Sequence, residues 1–194
     1  MAQGILPFKY EEERRESGLT GLAGLPLYVE LMAAMGLPES IGRHVRVKKQ
    51  GWTGSQTVLS LILLNLADGD SVDDLERLQS DEGFCRVLRR LEQRGLKRRE
   101  RRELARRWRT ERGRAVPSPT SVFRFLAAFH DREQEGKRTA GKAFIPRRNR
   151  HLQGLARVNA EMLGFLQERH PRQVATLDQD ATLVEASKRE ARRS

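Results

Sequence analysis

Apolar positions recur along most of the chain at helical spacing. Leu27, Leu31 and Met35 fall four apart after Pro26, which predicts a helix stopping near Gly36-Leu37-Pro38. Thr53 or Ser55 can cap the next helix, whose stripe is Val58, Leu59, Ile62, Leu63 and Leu66 and which ends at Asp68-Gly69-Asp70. Ser71 and Asp74 have capping-box spacing ahead of a short helix with Leu75 and Leu78. Phe84, Val87, Leu88 and Leu91 carry the apolar face onto a further helix. From Leu96 to about Glu111 the pattern predicts an arginine-dominated helix marked by Leu96, Leu104, Ala105 and Trp108. Nothing apolar lies between Lys97 and Glu103, so that turn is solvated or laid against an anion. Val116-Pro117-Ser118-Pro119-Thr120 then breaks the chain. Ser118 as N-cap with Pro119 at the first helical position starts a helix whose buried face is Val122, Phe125, Leu126 and Phe129. A basic loop, Gly136 to Arg150, leads to a long helix from about Leu152 to Arg169 that His170-Pro171 stops.

Near the end the period changes. Gln173 to Asp178 alternates with β-branched residues and reads as a strand. A solitary strand makes no sheet, so it pairs with another chain or opens something longer. The second is the expectation here. At the other end Met1 to Ser17, with its Glu11-Glu12-Glu13-Arg14-Arg15-Glu16 run, is expected to be a loose arm. The predicted organisation is therefore an arm over 1–17, a helical region over 18–170 and the beginning of a second domain over 171–194.

Composition narrows the class. The chain has 194 residues, 38% apolar and 32% charged, enough for a modest core. Its longest apolar stretch, Val58 to Leu66, is interrupted by Ser60 and Asn65 and is far too short for a bilayer span, and Met1 to Glu16 lacks the pattern of a secretory leader. A cytoplasmic protein with no membrane partner is expected. Cys85 is the sole cysteine, which excludes an internal disulfide and a multi-cysteine zinc site. It sits beside Phe84 with no visible base and reads as buried and inert. His44, His130, His151 and His170 have no ligand spacing and most of them read as surface residues, and Trp52 and Trp108 either stack on bases or pack.

Charge is uneven. Residues 1–85 hold 8 Lys/Arg against 13 Asp/Glu, whereas 86–114 hold 14 against 4, so one short segment carries nearly the whole surplus of +11. Such a block repels itself unless anions come to it. All but Lys97 of its cations are arginine, whose planar fork suits phosphate oxygens. Arg89, Arg90, Arg94, Arg98, Arg99, Arg101, Arg102, Arg106, Arg107 and Arg109 are the candidate phosphate contacts. Arg124, with Ser121 near the start of the Ser118-capped helix, is a candidate for entry into a major groove.

Asp178 and Asp180 are two apart, so in an extended chain both carboxylates project from one face, about 7 Å apart along the strand. Two like charges there call for solvent or a hard divalent cation such as Mg²⁺ or Mn²⁺. A solvated acidic turn is the simpler alternative. Leu177-Asp178-Gln179-Asp180-Ala181-Thr182-Leu183-Val184-Glu185 resembles the first catalytic strand of bacterial insertion-sequence transposases of the DDE type. The stretches Gln56-Thr57-Val58-Leu59-Ser60-Leu61 through Asp74-Leu75, and Pro117-Ser118-Pro119-Thr120-Ser121-Val122-Phe123-Arg124-Phe125-Leu126, are similar to the helical N-terminal region of one such group.

That resemblance implies a mainly α chain: a helical DNA-binding region followed by the first strand of a ribonuclease-H-like α/β catalytic domain. Its partner would be double-stranded DNA at the transposon's terminal repeats, and a homodimer is left open. Asp180, with Asp178 as its neighbour, would be the first catalytic aspartate and a ligand for Mg²⁺ or Mn²⁺ in the complete enzyme. Ala181 departs from the family pattern. A second Asp and the Glu of the triad are expected well downstream, and Glu185 and Glu190 are too close to serve, so this reading expects a truncated transposase inactive alone. The alternative is a non-catalytic, arginine-rich DNA- or RNA-binding protein.

Overall fold

Local capping chemistry sets most of the element boundaries in the computed structural model, which describes residues 18–139, 144 and 147–174. Asp178 and Asp180, nearly all of the expected strand and the N-terminal arm lie outside the described residues. Gln173 and Val174 are described and are irregular. The described residues form helices and no strand, so the chain is mainly α.

Helix α1 (Leu25–Ala34) ends at Gly36, whose φ of +69° is the left-handed conformation that terminates helices. Pro38 does not extend the stop. It lies in the first turn of a new helix, α2 (Leu37–His44), where proline's missing N–H costs nothing. Thr53 rather than Ser55 caps α3 (Gly54–Leu66): its Oγ1 accepts from Gln56 N–H at 3.1 Å, and Gln56 Oε1 accepts from Thr53 N–H at 2.8 Å. Asp74 Oδ2 accepts from Ser71 N–H at 2.9 Å ahead of α4 (Leu75–Ser80), with Ser71 Oγ–H a second donor. These bonds hold the Asp74 carboxyl below its usual range. Asp81 caps α5 (Glu82–Gln93) by accepting from Phe84 N–H at 2.8 Å. Helices α6 (Arg98–Ala105), α7 (Pro119–Leu126), α8 (Arg132–Glu135) and α9 (Arg150–Arg169) complete the order. Ser118 caps α7 as its sequence predicts, and Asn149 Oδ1 caps α9 at 3.0 Å from both His151 N–H and Leu152 N–H.

Packing centres on α3, which touches α1, α2, α4 and α7. Its innermost residues are Thr57, Ser60, Leu63 and Leu64; of the expected stripe Leu63 is buried, Val58, Leu59 and Ile62 are half-buried against the core, and Leu66 is exposed. The buried hydroxyls of Thr57 and Ser60 donate to the carbonyls of Thr53 and Gln56 four residues back, at 3.0 and 2.8 Å, so neither is left unsatisfied. One apolar cluster joins Leu25, Met32, Leu63, Leu75, Leu78, Phe84 and Val122. A second joins Ile41, Val45, Phe125 and Val158. In α1 the four-residue stripe is not the inner face: Leu27 and Leu31 are exposed, and Leu25 and Met32 point inward.

Helices α2 and α9 cross with almost no clearance. A Cβ built on Gly154 would stand 2.3 Å from the His44 carbonyl oxygen, so only glycine fits there. Beside the crossing, Glu161 of α9 receives Ser40 Oγ–H at 2.5 Å, Arg43 Nη2 at 2.7 Å and His44 Nε2 at 2.7 Å. The three partners pull the Glu161 carboxyl down to about 2, the Ser40 bond first among them.

The arginine helix is much shorter than its sequence predicts. It stops at Ala105 because tertiary bonds capture the residues just beyond it. Arg107 Nε donates to Gly51 O at 2.9 Å and Nη2 to Lys48 O at 3.0 Å, while Gly51 N–H donates to Arg107 O at 2.8 Å. Trp108 then meets Trp52 edge-on, ring centroids 5.0 Å apart.

Candidate nucleic-acid interface

The arginines divide into two populations. One is engaged by the protein itself. Arg112 is mostly buried, grips Glu92 with both ends of its guanidinium (Nη1 to Oε1 at 2.9 Å) and lies 5.0 and 5.8 Å from the ring centres of Trp52 and Trp108. Gln56 Nε2 donates to the same Glu92 carboxylate. Arg94 Nη1 donates to Glu30 Oε2 at 2.5 Å, Arg114 Nη2 to Glu76 Oε1 at 2.8 Å, and Arg89 Nη2 to Gly113 O. Arg89, Arg107, Arg112 and Arg114 fasten the 106–114 segment to α4, α5 and the 45–53 loop, while Arg94 ties the end of α5 to α1. Among the expected phosphate contacts, Arg89, Arg94 and Arg107 are thus held by protein groups.

The second population faces out. At 3.6 residues per turn, Arg98, Arg102 and Arg106 succeed one another along one side of α6, with Arg101 alongside, its Nε donating to Leu96 O at 3.0 Å while its guanidinium stays exposed. Glu100 and Leu104 take the opposite side, where Leu104 is half-buried and Glu100 Oε2 accepts from Lys97 N–H at 2.6 Å. Arg98, Arg101, Arg102 and Arg106 are exposed, as are Arg90, Arg109 and Arg124, and none of the seven has a carboxylate partner among the described residues. Arg99 pairs with Glu103 at 2.9 Å in the open, where solvent screening leaves such a contact weak. Four arginines, Arg86, Arg90, Arg94 and Arg101, line an open cleft of about 680 Å³ between α5 and α6 whose floor includes Val87 and Leu91. Arg86 is absent from the sequence-derived set. Its position four before Arg90 is the signal that places the two on one helix face.

A smaller pocket of about 150 Å³ lies at the start of α7 among Lys48, Trp52, Trp108, Ser121 and Phe125. Burial, and then the Arg124 charge nearby, lower the Lys48 pKa. Sequence reasoning did not single out Lys48, because the loop bringing it to Arg124 is remote in the chain. Trp52 and Trp108 are occupied by each other and by Arg112, which favours packing over base stacking.

Other candidates settle into the core. Cys85 is buried with its Sγ–H directed at the Leu78 and Gln79 carbonyls, and burial raises its thiol pKa. His130 and His170 are exposed, whereas His151 is buried against Phe129, at 5.5 Å between ring centres, and burial together with Arg150 lowers its pKa. His44 is likewise only partly exposed, held on Glu161. Among the described residues no group of three or more His, Cys, Asp or Glu could hold a metal ion. No described helix is long and apolar enough to cross a membrane. Compared with known proteins, the chain matches no family model, no curated protein and no solved structure.

Proposed function

We propose that this chain is the DNA-binding part of a DDE-type transposase, which holds the element's terminal repeats through the phosphates of duplex DNA. The observation that carries the binding half of the proposal is the arginine arc of α6. Arg98, Arg101, Arg102 and Arg106 are exposed and, among the described residues, free of carboxylates, on a helix anchored at its far end by Arg107. Unpaired guanidinium groups on one arc repel each other, and a row of phosphates removes that repulsion while releasing condensed counterions. Arg90, which shares the α5–α6 cleft with Arg101, extends the same cationic surface. Arg124, exposed on α7, with the half-buried Ser121 near the helix start, suits a second contact at a groove edge.

The catalytic half rests on the resemblance of the 177–185 segment. Asp180, with Asp178 beside it, would hold Mg²⁺ or Mn²⁺ in the complete enzyme, where the cation polarises the scissile phosphate. The chain's described residues bind and orient DNA in this reading and take no part in bond cleavage.

Anisotropy titration of a labelled duplex tests the proposal. If about six arginines touch phosphate, log K falls against log salt with a slope near −5. Replacing Arg98, Arg102 and Arg106 together by Glu should abolish most of the affinity and flatten the slope. Asp180→Ala should leave both unchanged. Tighter binding to structured RNA than to duplex DNA at equal salt would replace this function with an RNA-binding one.

A further inference from the structure

Residues 18–21 are pinned to the start of α5. Thr20 Oγ1 donates to Asp81 Oδ2 at 2.8 Å and Gly21 N–H to the same oxygen at 3.1 Å, while Asp81 Oδ1 caps the helix. Gly83 permits the close approach, since a Cβ there would stand 2.6 Å from Gly18 O and 2.5 Å from Leu19 O. Gly18 in turn lies against Arg86, whose Nη1 a Cβ on Gly18 would meet at 3.0 Å. It therefore forms part of the wall of the α5–α6 cleft, with Arg86, Arg90, Arg94 and Arg101. Glu30 answers Arg94 and Glu82 lies 3.5 Å from Arg86, but Arg90 and Arg101 have no carboxylate among the described residues.

The sequence that leads to this point is Glu11-Glu12-Glu13-Arg14-Arg15-Glu16-Ser17. Glu11 is seven positions before Gly18, so the whole run is within about 24 Å of the cleft's edge even for an extended chain. We propose that the carboxylates of residues 11–16 seat in the α5–α6 cleft of their own chain, against Arg90 and Arg101, and hold that part of the cationic surface until phosphates displace them.

Charge complementarity selects this occupant. Glu11, Glu12 and Glu13 are consecutive acids, and the cleft offers two guanidinium groups without one, over a floor that includes Val87 and Leu91. Ile5, Leu6, Phe8 and Tyr10, just upstream, supply apolar side chains for that floor. Arg14 and Arg15 need not enter it, because Gly18 also borders a second cleft whose lining includes Asp74 and Glu82. Residues 175–194 suit the arginine cleft less well: they contain no two adjacent acids and end in Arg192-Arg193-Ser194.

Exposed ion pairs of this kind are individually weak. The tether compensates, because a short linker gives an effective concentration on the order of millimolar. The seat is thus filled when no anion competes and is yielded to a row of phosphates. Its existence does not depend on the proposed DNA binding. Only its consequence for duplex affinity rests on that reading.

Carbodiimide coupling in the full chain carrying Arg90→Lys reads the seat without DNA, since the change keeps the charge and adds an amine. At low salt that amine should form an amide with a carboxylate of residues 11–16, located by peptide mass mapping. The yield should fall about fivefold at about 0.5 M salt, where exposed charges are screened. Arg124→Lys, outside the cleft, should couple to the run about tenfold less, lacking the tethered seat. Absence of coupling to residues 11–16, coupling to residues 175–194 instead, or equal coupling at both positions overturns the proposal. The consequence is read by replacing Glu11, Glu12, Glu13 and Glu16 together with Gln. Duplex affinity at low salt should rise about tenfold, and in a background of Arg90→Gln and Arg101→Gln the gain should shrink to about twofold. An equal gain in both backgrounds is general charge repulsion and overturns the competition. Coupling in a chain that binds no duplex would instead overturn the function proposed above and leave the seat standing.

Discussion

Arg102 and Arg112 are ten residues apart, and their surroundings share almost nothing. Arg102 stands in solvent on α6 with other arginines above and below it and no acid in reach among the described residues. Arg112 is largely enclosed, with a carboxylate at its edge and two indoles against its face. Composition alone marks both as members of one cationic block. What separates them is non-local: Glu92 and Trp52 arrive from other elements and convert a residue of apparent surface character into a structural tie. An arginine count therefore overstates the charge available to a partner, and the usable charge is the part that the fold leaves unpaired.

Substitutions at the two sites should accordingly fail in different ways. Arg112→Ala leaves Glu92 largely buried without its cation, and should cost about 3 kcal/mol, read as a lower midpoint in urea unfolding. Gly154→Ala should also destabilise, because the new methyl group meets the His44 carbonyl. A drop of about 2 kcal/mol or more in the same experiment is expected, with loss of the α2–α9 contact. By contrast, Arg102→Ala should stay within about 0.5 kcal/mol in stability while weakening duplex binding and making it less dependent on salt. If Arg112→Ala spared stability and Arg102→Ala lowered it, the division of the arginines would be reversed.

Acid should act on the α2–α9 side of the molecule. Glu161 ionises in the fold at about 2, below its ordinary 4.5, so its contribution is complete above about 4.5 and is lost as pH falls towards 2. His151 also has a lowered pKa, so it stabilises the fold above its ordinary 6.5 and withdraws that support as pH drops below it. Thermal unfolding of the Ser40→Ala variant should show a shallower loss between pH 5 and 2.5 than the parent chain. For His151→Gln the slope between pH 7.5 and 5.5 should flatten, the smallest effect of the set.

How much of the fold was legible in the sequence depends on the range of the interactions. The start of α7 is written in four consecutive residues, because Ser118 accepts from Ser121 N–H and Pro119 supplies a preset φ. The Thr53–Gln56 box is equally local. The end of α6 is not: nothing between Arg106 and Glu111 forbids helix, and the stop comes from carbonyls of Lys48 and Gly51. Helix α2 was hidden by Pro38, since a proline after Gly36 signals a stop as readily as a start. The stripe of α1 misled for another reason. That helix is apolar nearly all round, and periodicity locates a helix without saying which side the core occupies. The exposed α6 arc was visible in outline, but the withdrawal of Arg89, Arg94 and Arg107 required the packed neighbours.

The corner built on Arg112 has a kinetic corollary. It unites residues 52–56, 92 and 108–112, segments with no helical or turn contact of their own to hold them together, so the tie cannot assemble until long loops have closed. Amide protons there, Gly51 N–H on Arg107 O above all, should exchange with solvent only when the whole molecule opens, whereas those on the outer turn of α6 should exchange through local fraying. The arginine-rich stretch would then expose fast-exchanging protons on α6 and, only a few residues on, supply the carbonyl that protects one of the slowest.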